Sequence, residues 1–133
     1  MKFTKAILLG IFIYLLLFFA EKGVHFLYFY ITHNFGTDNL LLIKSSLILN
    51  FAPILGGLIS GYLCNKGIIA GFLVGIISGS LVLIYQQLTG ANPLTQDYTP
   101  SIVFDEVFIK GCIASLAGAT GELIKLKNKG SAR

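Results

Sequence analysis

The chain has 133 residues, 55% of them hydrophobic and only 12% charged, with a mean hydropathy of +0.80. Soluble domains carry about 25% charged residues, so this composition excludes a water-facing globular protein and predicts one compact, lipid-facing domain. The net charge of +4 does not point to nucleic acid, because the charges stand at the ends of apolar segments instead of clustering with aromatics on a polar face.

Four apolar segments predict an all-α integral membrane protein, a four-transmembrane-helix bundle. The first runs over about residues 4–32. Met1-Lys-Phe-Thr-Lys5 and the apolar run to Ala20 have the outline of a signal peptide. A cut after Ala20 would place Phe18 where a small residue is wanted, so the segment reads as a helix. At 1.5 Å per residue it would be roughly 43 Å long, beyond a hydrocarbon core of about 30 Å. It must tilt, kink near Gly23, or end in an interfacial stretch rich in Phe26, Tyr28, Phe29 and Tyr30.

The second segment spans about residues 40–63, the third 68–88 and the fourth 102–125, followed by a basic tail over 126–133. Asn65-Lys66-Gly67 predicts a tight helical hairpin between the second and third. Lysine and arginine set orientation. With the N-terminus inside, Lys2, Lys5, Lys66, Lys125, Lys127, Lys129 and Arg133 fall on the cytoplasmic side, and Lys22, Lys44 and Lys110 on the other. That asymmetry predicts both termini in the cytoplasm of a prokaryotic plasma membrane. Cys64 and Cys112 then fall on opposite leaflets, too far apart for a disulfide.

Small residues recur at helical spacing. Gly67, Gly71, Gly75 and Gly79 stand four apart in the third segment, and Gly57 and Gly61 in the second. Gly111, Ser115 and Ala119 form a row in the fourth, beside Ala114 and Gly118. Such a glycine zipper lets helices approach closely, a main source of adhesion in lipid. It serves either packing within the chain or packing against another subunit, and its pattern says nothing about the partner.

Polar residues within the segments are few. Asn50 beside the kink-forming Pro53, with Ser45 and Ser46, makes a possible polar path. Glu106–Lys110, Glu122–Lys125 and Glu21–His25 sit at ion-pair spacing. Each pair is expected near a membrane surface, with no carboxylate at mid-depth. His25, His33 and Asp38 have no recognised ligand spacing, so no metal is expected, nor any cofactor or catalytic residue. Lys125, Lys127 and Lys129 are expected to meet anionic lipid headgroups or a partner.

The hairpin from Ala52 through Lys66-Gly67 to Gly79 is similar to glycine-rich hairpins in several families of small four-helix bacterial and archaeal membrane proteins. Small multidrug exporters are similar in size but use a glutamate within their first helix, whereas Glu21 stands at the end of this one. The leading expectation is a non-catalytic subunit or assembly factor that packs against other membrane helices or itself. A homo-oligomeric channel, holin-like pore or small transporter is the alternative. An immunity protein against a pore-forming toxin is a further one.

Overall fold

The structure is a computed structural model that describes residues 2–33, 51–89 and 103–131. Among these residues all regular structure is helical. Helix α1 is Phe3–His33, α2 is Phe51–Leu63, and α3 is Gly67–Thr89. A six-residue π-helical turn, Phe104–Ile109, then leads into α4, Lys110–Gly130. Three stretches are long and apolar enough to cross a membrane: Phe3–Val24, Gly67–Thr89 and Phe104–Gly130. The described part of α2 is shorter, and the residues expected to extend it, 40–50, lie outside the described set.

Each helix follows from its apolar run, and the punctuation falls where the chain breaks it. Helix α1 continues without interruption past Gly23, so the backbone of residues 24–33 extends the helix. Leu63 ends α2 and Gly67 begins α3, leaving Cys64, Asn65 and Lys66 as the turn. Helix α4 continues five residues beyond its expected end at Lys125, because no breaker intervenes before Gly130. Lys127 and Lys129 in its last turn oppose the negative end of the helix dipole.

The α2–α3 hairpin is the middle of the bundle. Helices α1 and α4 each pack on it and make little contact with one another. Half of the apolar window of α3 is buried, against 22% for α1 and 28% for α4, which marks α3 as the central helix. Two adjacent rows of α3 do different work. Ala70, Val74, Ser78 and Val82 are buried in one row. Val74 and Val82 of this row form the core with Tyr14 and Phe18 of α1 and Ala52 of α2. Gly67, Gly71, Gly75 and Gly79 form the second row and lie against α4.

The contact with α4 is made largely by backbone. The Ala114 carbonyl lies between Gly57 of α2 and Gly71 of α3, and the Gly118 carbonyl lies between Gly61 and Gly67. A Cβ at any of these four glycines would overlap the carbonyl. Two helices thus present glycines at matching four-residue spacing to one strip of α4 main chain. Close approach of this kind permits Cα–H···O contacts, each worth about 0.5–1 kcal/mol. On the opposite side of the hairpin Gly10 and Gly56 are similarly close: a Cβ at Gly10 would lie 2.8 Å from the Gly56 carbonyl oxygen.

Candidate functional site

The glycine contacts fix a register, and the register places the polar residues. Gly118 opposes Gly67, Ala114 opposes Gly71, Gly111 opposes Gly75, and Glu106 opposes Gly79. Gly79 is twelve residues after Gly67 and ten before Thr89. At 1.5 Å per residue it stands about 18 Å from one end of α3 and about 15 Å from the other. Glu106 and Lys110 are therefore level with the middle of α3. The sequence argument expected both near the outer surface of the membrane. The sequence argument centred the fourth apolar run on the membrane. Packing instead sets its register by placing its small residues against the glycines of α2 and α3.

The same register holds for α1. Gly10 is level with Gly56 and Val74, and the Phe18 ring packs edge-on to Tyr85. Tyr14 thus falls at the level of the middle of α3, is 1% exposed, and lies within electrostatic reach of Glu106 and Glu21. Lys110 is buried and donates to the Glu106 carboxylate, as the i, i+4 spacing led us to expect. Side chains on a helix lean toward its N-terminus, so Lys110 reaches back over the π-helical turn to find its partner.

Ser78 joins this level from α3. It is fully buried, and its hydroxyl has no hydrogen-bond partner among the described residues. Ser60 in α2 provides the contrast. It is equally buried, but its hydroxyl donates to the Gly57 carbonyl at 2.8 Å. Tyr14 of α1, Ser78 of α3, Glu106 of the π-helical turn and Lys110 of α4 thus stand at one level along the bundle. The sequence did not single out Tyr14. Ser78 is eight residues after Ala70 and four after Val74, so its burial could have been read from that row.

A second polar region lies where α2 meets α3. The Glu122 carboxylate accepts the Gly67 N–H at 2.7 Å. It thereby caps the first turn of α3 and faces the positive end of its dipole. Lys125 donates to the Asn65 side-chain oxygen at 2.8 Å. The expected Glu122–Lys125 pair is replaced by these two contacts, because the end of α3 offers each residue a partner on the neighbouring helix. Ser115 donates to the Ile68 carbonyl at 3.2 Å and ties α4 to the same turn of α3. Beyond Glu122, α4 runs past the hairpin turn for residues 123–130, about 12 Å. Between this projection and the end of α2 lies an open cleft of about 630 Å³, lined by Tyr62, Leu63, Cys64, Asn65, Lys125, Asn128 and Lys129.

The other expected residues distribute as follows. Gly57, Gly61, Gly67, Gly71, Gly75, Gly79 and Gly118 lie in the hairpin–α4 contact, and Gly111 meets Ile76 and Phe72. Pro53 is buried in α2, while Asn50, Ser45 and Ser46 lie outside the described residues. So do Asp38 and the side chains of His25 and His33. Cys64 is buried and Cys112 exposed, and both are free thiols. Among the described residues no group of three metal-ligating side chains converges.

No family model matches the chain, and no curated protein or solved structure shows significant similarity to it.

Proposed function

We propose that this chain is a small multi-pass membrane protein with a non-catalytic role, acting as a subunit or assembly factor that packs against other membrane helices. The observation that supports this reading best is the way α4 is fixed. It is held by main-chain contact with both arms of the hairpin, which makes a rigid unit with large apolar side chains on its outside. The hairpin glycines face α4 inside the unit, so in this reading a partner docks on outer faces, such as Leu116, Leu123 and Cys112 of α4.

Both termini lie in the cytoplasm in this reading. Lys110 is withdrawn from the outer flank by its burial. That leaves Lys22 and Lys44 outside against seven basic residues inside, which strengthens the charge asymmetry. The Phe18, Phe19 and Tyr85 ring cluster, with the Lys22 ammonium 5.5 Å from the Phe18 ring centre, suits the outer headgroup level.

The experiment is native mass spectrometry of the protein extracted from its own membrane in mild detergent. Stoichiometric unrelated chains support the subunit reading. A bare monomer that never co-purifies with another chain contradicts it.

One observation favours a second reading, a small transporter or homo-oligomeric pore. An ionised pair at mid-membrane is costly and by default suggests an ion or proton path. Here it is joined by a buried, unpartnered hydroxyl, and it follows a π-helical turn, a distortion frequent at functional sites. Ion or solute flux through liposomes made with the pure protein separates the two. A homo-oligomer that conducts supports the second, and a tight membrane at all voltages and pH values rejects it.

A further inference from the structure

We infer that the cleft between the hairpin turn and the projecting end of α4 binds the phosphate of an anionic glycerophospholipid. The inference needs only that the bundle be inserted in a membrane, so it stands whichever of the two functional readings holds. The cleft is lined by two ammonium groups, Lys125 and Lys129, and two side-chain amides, Asn65 and Asn128. Among the described residues no carboxylate lines it. The nearest one on α4, Glu122, is occupied by the Gly67 N–H and makes no ion pair with Lys125. Lys125 is held by a neutral amide oxygen, so its charge is positioned without being cancelled. Lys125, Asn128 and Lys129 follow at i, i+3 and i+4 and share one side of α4. Lys127, two residues from each lysine, is on the other side and does not line the cleft.

The apolar part of the lining selects the source of the phosphate. Tyr62 and Leu63 form the wall toward the bundle, at the last turn of α2. A free phosphate has no use for that wall. A lipid anchored beside α2 places its glycerol and upper chain on it and its phosphate between the lysines. The cleft opens at the end of the bundle that carries Lys2, Lys5 and Lys66, and the surface of an anionic leaflet is enriched in such headgroups.

The test is native mass spectrometry of the purified chain in nanodiscs of phosphatidylglycerol mixed with phosphatidylcholine. The wild type retains one phosphatidylglycerol in preference to phosphatidylcholine. Each lysine near an anionic surface is worth about fivefold in affinity, so Lys125→Gln with Lys129→Gln lowers retention about thirtyfold. The control, Lys2→Gln with Lys5→Gln, removes the same charge from the same end and retains the lipid. Circular dichroism and melting establish that both variants are folded; the substituted lysines are at the surface, and Asn65→Ala provides a milder second disruption of the cleft. Equal loss in the control, or equal retention of the two lipids by the wild type, overturns the inference. A melting shift with inorganic phosphate that matches the lipid effect, with no lipid retained, overturns the lipid source.

Discussion

Gly79 of α3 lies directly against the main-chain carbonyl of Glu106, with no room for a Cβ between them. That one contact sets the depth of the Glu106–Lys110 pair, because Gly79 is near the middle of a 23-residue membrane-length helix. An ion pair that the sequence argument assigns to the membrane surface thereby stands level with the middle of α3.

Substituting the glycines that lie against an α4 carbonyl should separate the helices. Gly71→Ala puts a methyl on the Ala114 carbonyl and should cost about 3 kcal/mol, the upper range for overpacking. Gly23→Ala meets nothing within 4 Å and should be neutral or stabilising by up to about 1 kcal/mol, since alanine favours the helix. Thermal unfolding of the two variants in one detergent checks the contrast.

Breaking the pair of buried Lys110 and half-buried Glu106 should be costly, and replacing it whole should not. Lys110→Met alone leaves Glu106 without its cation and should lose about 3 kcal/mol, as should Glu106→Gln with Lys110 left in place. The double variant should recover most of that loss. A double-mutant cycle on unfolding measures it, and simple additivity would show that the two side chains are not coupled.

Ser78→Ala removes a hydroxyl that has no partner and should stabilise the bundle by about 1 kcal/mol. Ser60→Ala removes a hydroxyl bonded to Gly57 and gains nothing of the kind. If Ser78→Ala is more stable yet abolishes flux in liposomes, the hydroxyl serves transport. If stability rises and no flux exists in either protein, the subunit reading is strengthened.

Glu122→Ala should cost about 1–2 kcal/mol, because the Gly67 N–H loses its acceptor and the α3 dipole loses a facing charge. Glu122→Gln keeps an acceptor oxygen and should lose only the charge contribution, about 0.3–1 kcal/mol. Equal losses in the two variants would argue against the cap.

The four apolar segments were legible because each is a long apolar run bounded by Gly, Pro, Asn or Lys. The hairpin was legible for the same reason, since Asn65-Lys66-Gly67 interrupts two such runs. Register was not. Centring a segment on its own hydropathy ignores which residues must oppose one another, and small-residue rows decide that only in pairs. Once Gly118 is set opposite Gly67, Glu122 falls one turn further along α4, beside the start of α3. Its cap then follows, as does the freedom of Lys125 to bond Asn65. Read alone, the i, i+3 spacing of Glu122 and Lys125 favoured the local pair, because the competing backbone donor is 55 residues away. The buried Tyr14 was hidden by its chemistry, since an apolar run tolerates one tyrosine without losing its signal.

Depth is the claim on which the rest depends, and Cys112 reports it. This exposed thiol follows Gly111, which opposes Gly75 near the middle of α3. A nitroxide placed there in a Cys64→Ser background, in phospholipid vesicles, can be tested for collision with oxygen and with a water-soluble nickel chelate. The packing register requires high oxygen and low nickel accessibility, a label in the central third of the bilayer. Strong nickel accessibility, a label among the outer headgroups, would return Glu106 and Lys110 to the surface and contradict the account.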